Sequence, residues 1–162
     1  MSEQPGFDLQ KAHQYFAKHL NGEVWALLEK PDRTLLEGER MVHAAHASAY
    51  HWLEVGTLVH QQRAEWLLAH VYTVLKEGES ALLHANRCLA LTEEHAEEMA
   101  DFDKAYAYEG MARACALCQN EEDAVWYYQL AKQAGRLIKD PEDRKIFEGD
   151  FGSGDWWGVE KS

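Results

Sequence analysis

The sequence predicts an all-α protein, a stack of three antiparallel helical hairpins with a short C-terminal capping helix. Two observations carry this. One hairpin pattern recurs: Leu68, Ala69, Tyr72, Ala81, Ala85 and Cys88 are matched 43 residues later by Met111, Ala112, Cys115, Ala124, Tyr128 and Ala131. Leu91 extends the first set. Helix start and stop signals also divide the chain into six main helices and a short seventh. Repeated hairpins bury a core only by stacking on one another, and such arrays usually bind partners rather than transform substrates.

The elements follow in order. The first helix is expected over 7–29, with Phe16, Leu20, Val24, Leu27 and Leu28 at helical spacing. Pro31 breaks it, because proline cannot continue a helix and restrains the residue before it. Thr34 opens the second helix, and Glu37 completes a T-x-x-E capping box. Gly56 is expected to close that helix in the left-handed conformation. The third helix is expected over 58–76 and the fourth over 80–98, with Glu77-Gly78 as the turn between them. Asp101 is the expected N-cap of the fifth, which ends near Cys118. Asn120 caps the sixth, whose first turn holds Glu121, Glu122 and Asp123, where the helix dipole favours acids. Asp140-Pro141 opens the short seventh helix with a cap and an N1 proline. The expected domain is 5–148. The Gly-, Ser- and Trp-containing stretch 149–162 is expected to be a mobile tail, although Trp156 and Trp157 are costly to leave in water.

With 162 residues, 46% of them hydrophobic, the chain is one domain with enough apolar material for a core. The net charge of -12 argues against nucleic acid and anionic membranes as partners, since both need a basic face. No apolar run approaches the roughly 20 residues of a membrane span, and the N-terminus lacks the regions of a signal peptide. Three cysteines, an odd number, suit a reducing compartment, so a cytoplasmic location is expected. Cys115 and Cys118 form a lone C-x-x-C inside an Ala-rich helix, which favours packing over redox or metal chemistry.

The spacing is that of a tetratricopeptide (TPR) unit lengthened by about nine residues over the usual 34 or so. Further segments carry a resemblance to a family of uncharacterised bacterial TPR-like proteins. They are Leu27-Leu28-Glu29-Lys30-Pro31-Asp32-Arg33-Thr34 and Met41-Val42-His43-Ala44-Ala45-His46-Ala47-Ser48-Ala49-Tyr50-His51-Trp52, together with Val55-Gly56-Thr57, Arg63-Ala64-Glu65-Trp66, His84-Ala85-Asn86-Arg87-Cys88-Leu89 and Asp101-Phe102-Asp103. The resemblance implies a bacterial TPR-like helical fold over about residues 10–150 and no particular activity.

Two clusters are candidate sites. Carried onto this chain, the groove positions of a TPR unit select Arg63, Trp66, His70, Thr73 and Val74 on the third helix. On the fifth they select Tyr106, Glu109, Arg113, Ala116 and Leu117. Arg63 and Arg113 can clamp a carboxylate, while Trp66 and Tyr106 offer flat apolar area. This points to a non-enzymatic scaffold that takes a peptide, protein or small anionic ligand through Arg63, Trp66, His70, Tyr106, Glu109 and Arg113. The second cluster is a stripe on the second helix, Glu39, His43, His46 and Tyr50, about 60° wide at about 100° per residue. Two imidazoles and a carboxylate can hold a divalent metal (Zn, Fe or Ni), with His84 or His70 as a fourth ligand, which is the alternative reading of a metal-binding protein or metal-dependent enzyme. No other cofactor is expected. Ser48 lies near His46 and His51, but no nucleophile elbow or phosphate loop accompanies it. The Trp156-Trp157 tail can dock on the chain's own groove or on a second copy, so a homodimer is permitted.

Overall fold

The computed structural model describes residues 6–162. The expectation drawn from the N-terminal residues about a signal peptide, and the first position of the expected 5–148 domain, fall on residues outside those described. The described chain is all-α and has no strands. Its α-helices are α1 (Leu9–Leu28), α2 (Leu35–Val55), α3 (Leu58–Val74), α4 (Gly78–Glu94), α5 (Asp101–Leu117), α6 (Glu121–Arg136) and α7 (Pro141–Phe151). Single 3₁₀ turns lie at Ala96–Glu98 and Val159–Lys161. Among the described residues, no helix is long and apolar enough to cross a membrane.

Helices pack most extensively with their sequence neighbours, α1 with α2, α3 with α4, and α5 with α6. α2 also packs on α3, α4 on α5 and α3 on α5, while α7 lies on α5 and α6. Alanines make these close crossings: Ala69, Ala81, Ala112, Ala124 and Ala131 are all buried. Ala69, Ala81, Ala85, Cys88, Met111, Cys115 and Ala124 share one core, with Tyr72 and Tyr128 packed at its edge. Burial pushes the Cys115 thiol up to about 11 and that of Cys88 further, as befits packing groups rather than reactive thiolates.

The loops after α3 and α5 are one motif repeated. Lys76 and Gln119 both adopt the left-handed conformation, at φ 62° and 60°. In the first loop the Glu77 N–H reaches the Tyr72 carbonyl at 2.9 Å and the Lys76 N–H reaches Thr73 at 3.0 Å. In the second, Asn120 reaches Cys115 at 2.9 Å and Gln119 reaches Ala116 at 3.0 Å. These paired bonds are a Schellman closure. The positions are 43 residues apart, the same interval as the alanines.

The Thr34–Glu37 box, the Asn120 cap and the Asp140 cap all form. Several boundaries differ from expectation. Gly56 is extended (φ -88°), not left-handed. A Cβ there would stand 2.6 Å from the Trp52 carbonyl oxygen and 2.9 Å from the His60 Cβ, so the position needs glycine for close approach. α4 starts at Gly78, where the Cys118 sulfur comes within 2.8 Å of an added Cβ. Ala100, not Asp101, is the N-cap of α5. The Ala100 N–H is met by the Asp103 carboxylate, and Asp101 accepts from the Lys139 N–H instead. Phe16 is exposed and stacks on His51, while Ala17 and Val24 fill the core side of α1.

The stretch expected as a mobile tail is packed against the body. α7 continues to Phe151, and Trp156 and Val159 are buried. The Trp156 ring meets Tyr128 and Phe151 edge-on, and its N–H donates to the Phe151 carbonyl at 2.9 Å. Burial of an indole offsets the entropy of ordering a short Gly-rich link.

Candidate functional site

A cleft of about 480 Å³ opens between α1, α3, α5 and α7. Its lining includes Trp25 from α1, Gln62, Arg63 and Trp66 from α3, Phe102, Asp103 and Tyr106 from α5, and Ile146 and Asp150 from α7. Arg63, Trp66 and Tyr106, selected from the sequence, therefore share one site. Trp66 and Tyr106 meet edge-to-face with centroids 5.1 Å apart, and Trp25 lies 6.1 Å from Trp66 at 23°. Gly110 lets Trp66 lie on α5, since an added Cβ would stand 3.3 Å from the indole.

His70 stacks behind Trp66 at 5.1 Å and 9°. Burial lowers its imidazole below the ordinary value against the opposing pull of Glu109, so near neutral pH it supports the ring as an uncharged plate. The Trp66 N–H donates to Glu109 at 3.0 Å, and Glu109 is paired with Arg113, both almost fully buried.

The two arginines do not form the expected carboxylate clamp. Arg63 makes a bidentate pair with Asp103, at 2.8 and 3.1 Å, and its guanidinium lies 5.0 Å from the centre of the Phe102 ring. Arg113 is turned away from the cleft, toward the C-terminal segment. It pairs with Glu109 and donates to the carbonyls of Asp150 (3.1 Å), Ser153 (2.8 Å) and Asp155 (3.0 Å). Its guanidinium sits 4.0 Å from the centre of the Trp156 ring. Carboxylates of α5 already satisfy both cations. Thr73 and Ala116, the neighbouring groove positions, are buried in the body.

The stripe on α2 is divided. Glu39 and His43 face solvent beside Arg40 and Leu36. His46 turns toward α3 and α4, bonding the Tyr72 hydroxyl at 2.8 Å and lying 5.4 Å from the His84 ring. Glu65 holds the other side of that network through His84 Nδ1 at 2.6 Å. Partial burial and the His84 charge lower the His46 imidazole. Among the described residues, no group of three or more His, Cys, Asp or Glu side chains stands close enough to hold a metal ion. Glu39, His43 and His46 therefore do not converge, and His70 is on the far side of α3 against Trp66. Ser48 is also accounted for, because its buried hydroxyl donates to the Ala17 carbonyl at 2.8 Å.

Sequence reasoning missed Trp25, Phe102, Asp103 and Asp150. Trp25 had a signal, since it sits one position off the apolar stripe of α1 and so needs another surface to face. Asp150 had none, because its place depends on how α7 docks. A scan against protein-family models finds no match, and searches of curated proteins and of solved structures find none either.

Proposed function

We propose that this chain is a non-enzymatic TPR-like binding module of the bacterial cytoplasm that takes a peptide in the α1–α3–α5–α7 cleft. In this reading the helix pairs are the three hairpins of a TPR-like stack, and α7 is the capping helix. The observation that carries it is the cleft itself. Its volume falls in the range of about 300–1,000 Å³ typical of ligand sites, and its aromatic walls converge with a few fixed polar groups. The repeated Schellman loops and the 43-residue alanine interval support the repeat reading. Trp and Tyr supply large contact area at low entropic cost, which is why they anchor recognition sites. The pairing of Arg63 with Asp103 and Arg113 with Glu109 favours a peptide side chain over a small anion.

The test is selection of a random peptide display library on the protein, with Trp25→Leu as the counter-target. Trp25 is part-exposed on the cleft wall, so the substitution removes a contact and leaves the core alone. Enriched peptides that bind the wild type and lose at least tenfold on the variant are expected. No enrichment, or peptides indifferent to the substitution, would overturn the reading.

A further inference from the structure

We infer that the group held in this cleft is an alkylammonium, the end of a lysine side chain presented by a basic peptide. The inference rests on the peptide-binding reading and adds the chemistry of the anchor.

Trp25, Trp66, Phe102 and Tyr106 line the cleft, and aromatic faces carry negative potential that attracts cations. One such contact is already made there, by Arg63 over Phe102. The charged lining residues are Arg63, Asp103 and Asp150. Arg63 and Asp103 neutralise each other through their bidentate pair. Behind the wall, Glu109 and Arg113 do the same. That leaves Asp150, exposed at the rim, which accepts a hydrogen bond from the Tyr106 hydroxyl at 2.5 Å and has no basic side-chain partner among the described residues. Burial, then the hydrogen bond to Asp150, and then the charges of Asp150, Glu109 and Asp143 push the Tyr106 phenol well above its ordinary value. Tyr106 therefore stays a hydrogen-bond donor, in a field that is negative on balance. The chain as a whole carries -12, which adds long-range attraction for a basic partner.

An anionic or a neutral occupant meets a penalty. A carboxylate or phosphate would approach the unpaired Asp150 with like charge. A neutral aliphatic group would cover Asp150 without offering it a partner. A lysine places its methylene stem on the rings and its ammonium between the ring faces and Asp150. Methylation of the ammonium would lower its desolvation cost and leave its charge, so a trimethylated lysine should bind at least as well as lysine.

The experiment is NMR titration of the full chain, following the six indole N–H signals. The probes are N-acetyl-lysine methylamide, its trimethylated form, and a neutral isostere with carbon in place of the charged nitrogen. Choline is the small-molecule arm. Trimethyl-lysine should shift the Trp25 and Trp66 signals and bind about fivefold or more tighter than the isostere, as a part-desolvated cation–π contact implies. Asp150→Asn should remove most of that preference, and added salt should reduce it. Trp25→Leu should abolish the shifts. Equal affinity for the isostere would overturn the charge inference while leaving the cleft a peptide site. Choline binding as tightly as the lysine probes would overturn the peptide source of the ammonium. No shift at Trp25 or Trp66 from any probe would overturn the inference outright. Display-selected peptides that bind but lack lysine would overturn it without touching the peptide-binding reading.

Discussion

The two walls of the cleft are built differently. The α5–α7 wall is locked. Arg113 lies in a buried pair with Glu109, holds three carbonyls of the C-terminal segment and stacks on Trp156. Through Glu109 the same network fixes the Trp66 N–H. Trp66 apart, the α1–α3 wall is looser, with Trp25 part-exposed and the Arg63 side chain 47% exposed. Two arginines selected for the same role thus have different ones: Arg113 fastens the fold and Arg63 trims the opening. The contrast teaches that a position selected from the sequence as groove-facing is open only where nothing else in the chain covers it.

The largest expected effect lies in the locked wall. Arg113→Ala leaves Glu109 buried and unpaired and frees the segment after Phe151, so a loss of about 3–5 kcal/mol is expected. Chemical denaturation measures it, and limited proteolysis should show new cleavage between Gly152 and Trp157. Wild-type stability in the variant would mean that the pair is dispensable and the walls are alike. Next comes the α6–α7 contact. A Cβ at Gly135 would stand 2.3 Å from the Phe147 ring, so Gly135→Ala should cost about 1–3 kcal/mol by overpacking. A thermal melt reads this, and an unchanged melt would show that α7 can shift freely.

A smaller effect comes from pH. Burial lowers the imidazoles of His46, His51, His60 and His70 below 6.5. As pH falls below 6.5 the unfolded chain takes up protons that the folded chain resists. The stability present above pH 6.5 should therefore decline through the window down to the folded-state values. Melts at pH 7.5 and 5.5 should differ by a few degrees, with the lower Tm in acid, and His70→Gln should shrink the difference. The smallest effect on stability belongs to the open wall, where Trp25→Leu should change it by no more than about 1 kcal/mol. A larger loss would make Trp25 a packing residue and weaken its assignment to the cleft.

Local chemistry made much of this fold legible. The Thr34–Glu37 box, the Asn120 cap and Asp140-Pro141 are short-range devices, and each forms where the sequence predicts. The buried alanines were legible because close crossings admit only small residues. What was hidden depends on distant docking. Gly56 reads as a helix stop, but its role is set by Trp52 and His60 crowding the turn. The composition of 149–162 suggests mobility, yet Trp156 finds Tyr128, Phe151 and Arg113. Arg113 looked available because the carbonyls that occupy it lie about 40 residues further on. His46 looked like one of three converging ligands, but its ring bonds the Tyr72 hydroxyl, and no group of three metal-ligating side chains forms among the described residues.

The most direct test of the central claim is residue-resolved NMR of the full chain titrated with a display-selected peptide. The largest shifts should fall on the Trp25 and Trp66 indoles and on the amides around Phe102, Tyr106 and Asp150. Shifts concentrated instead on α2 around Glu39 and His43, with the cleft unmoved, would contradict it.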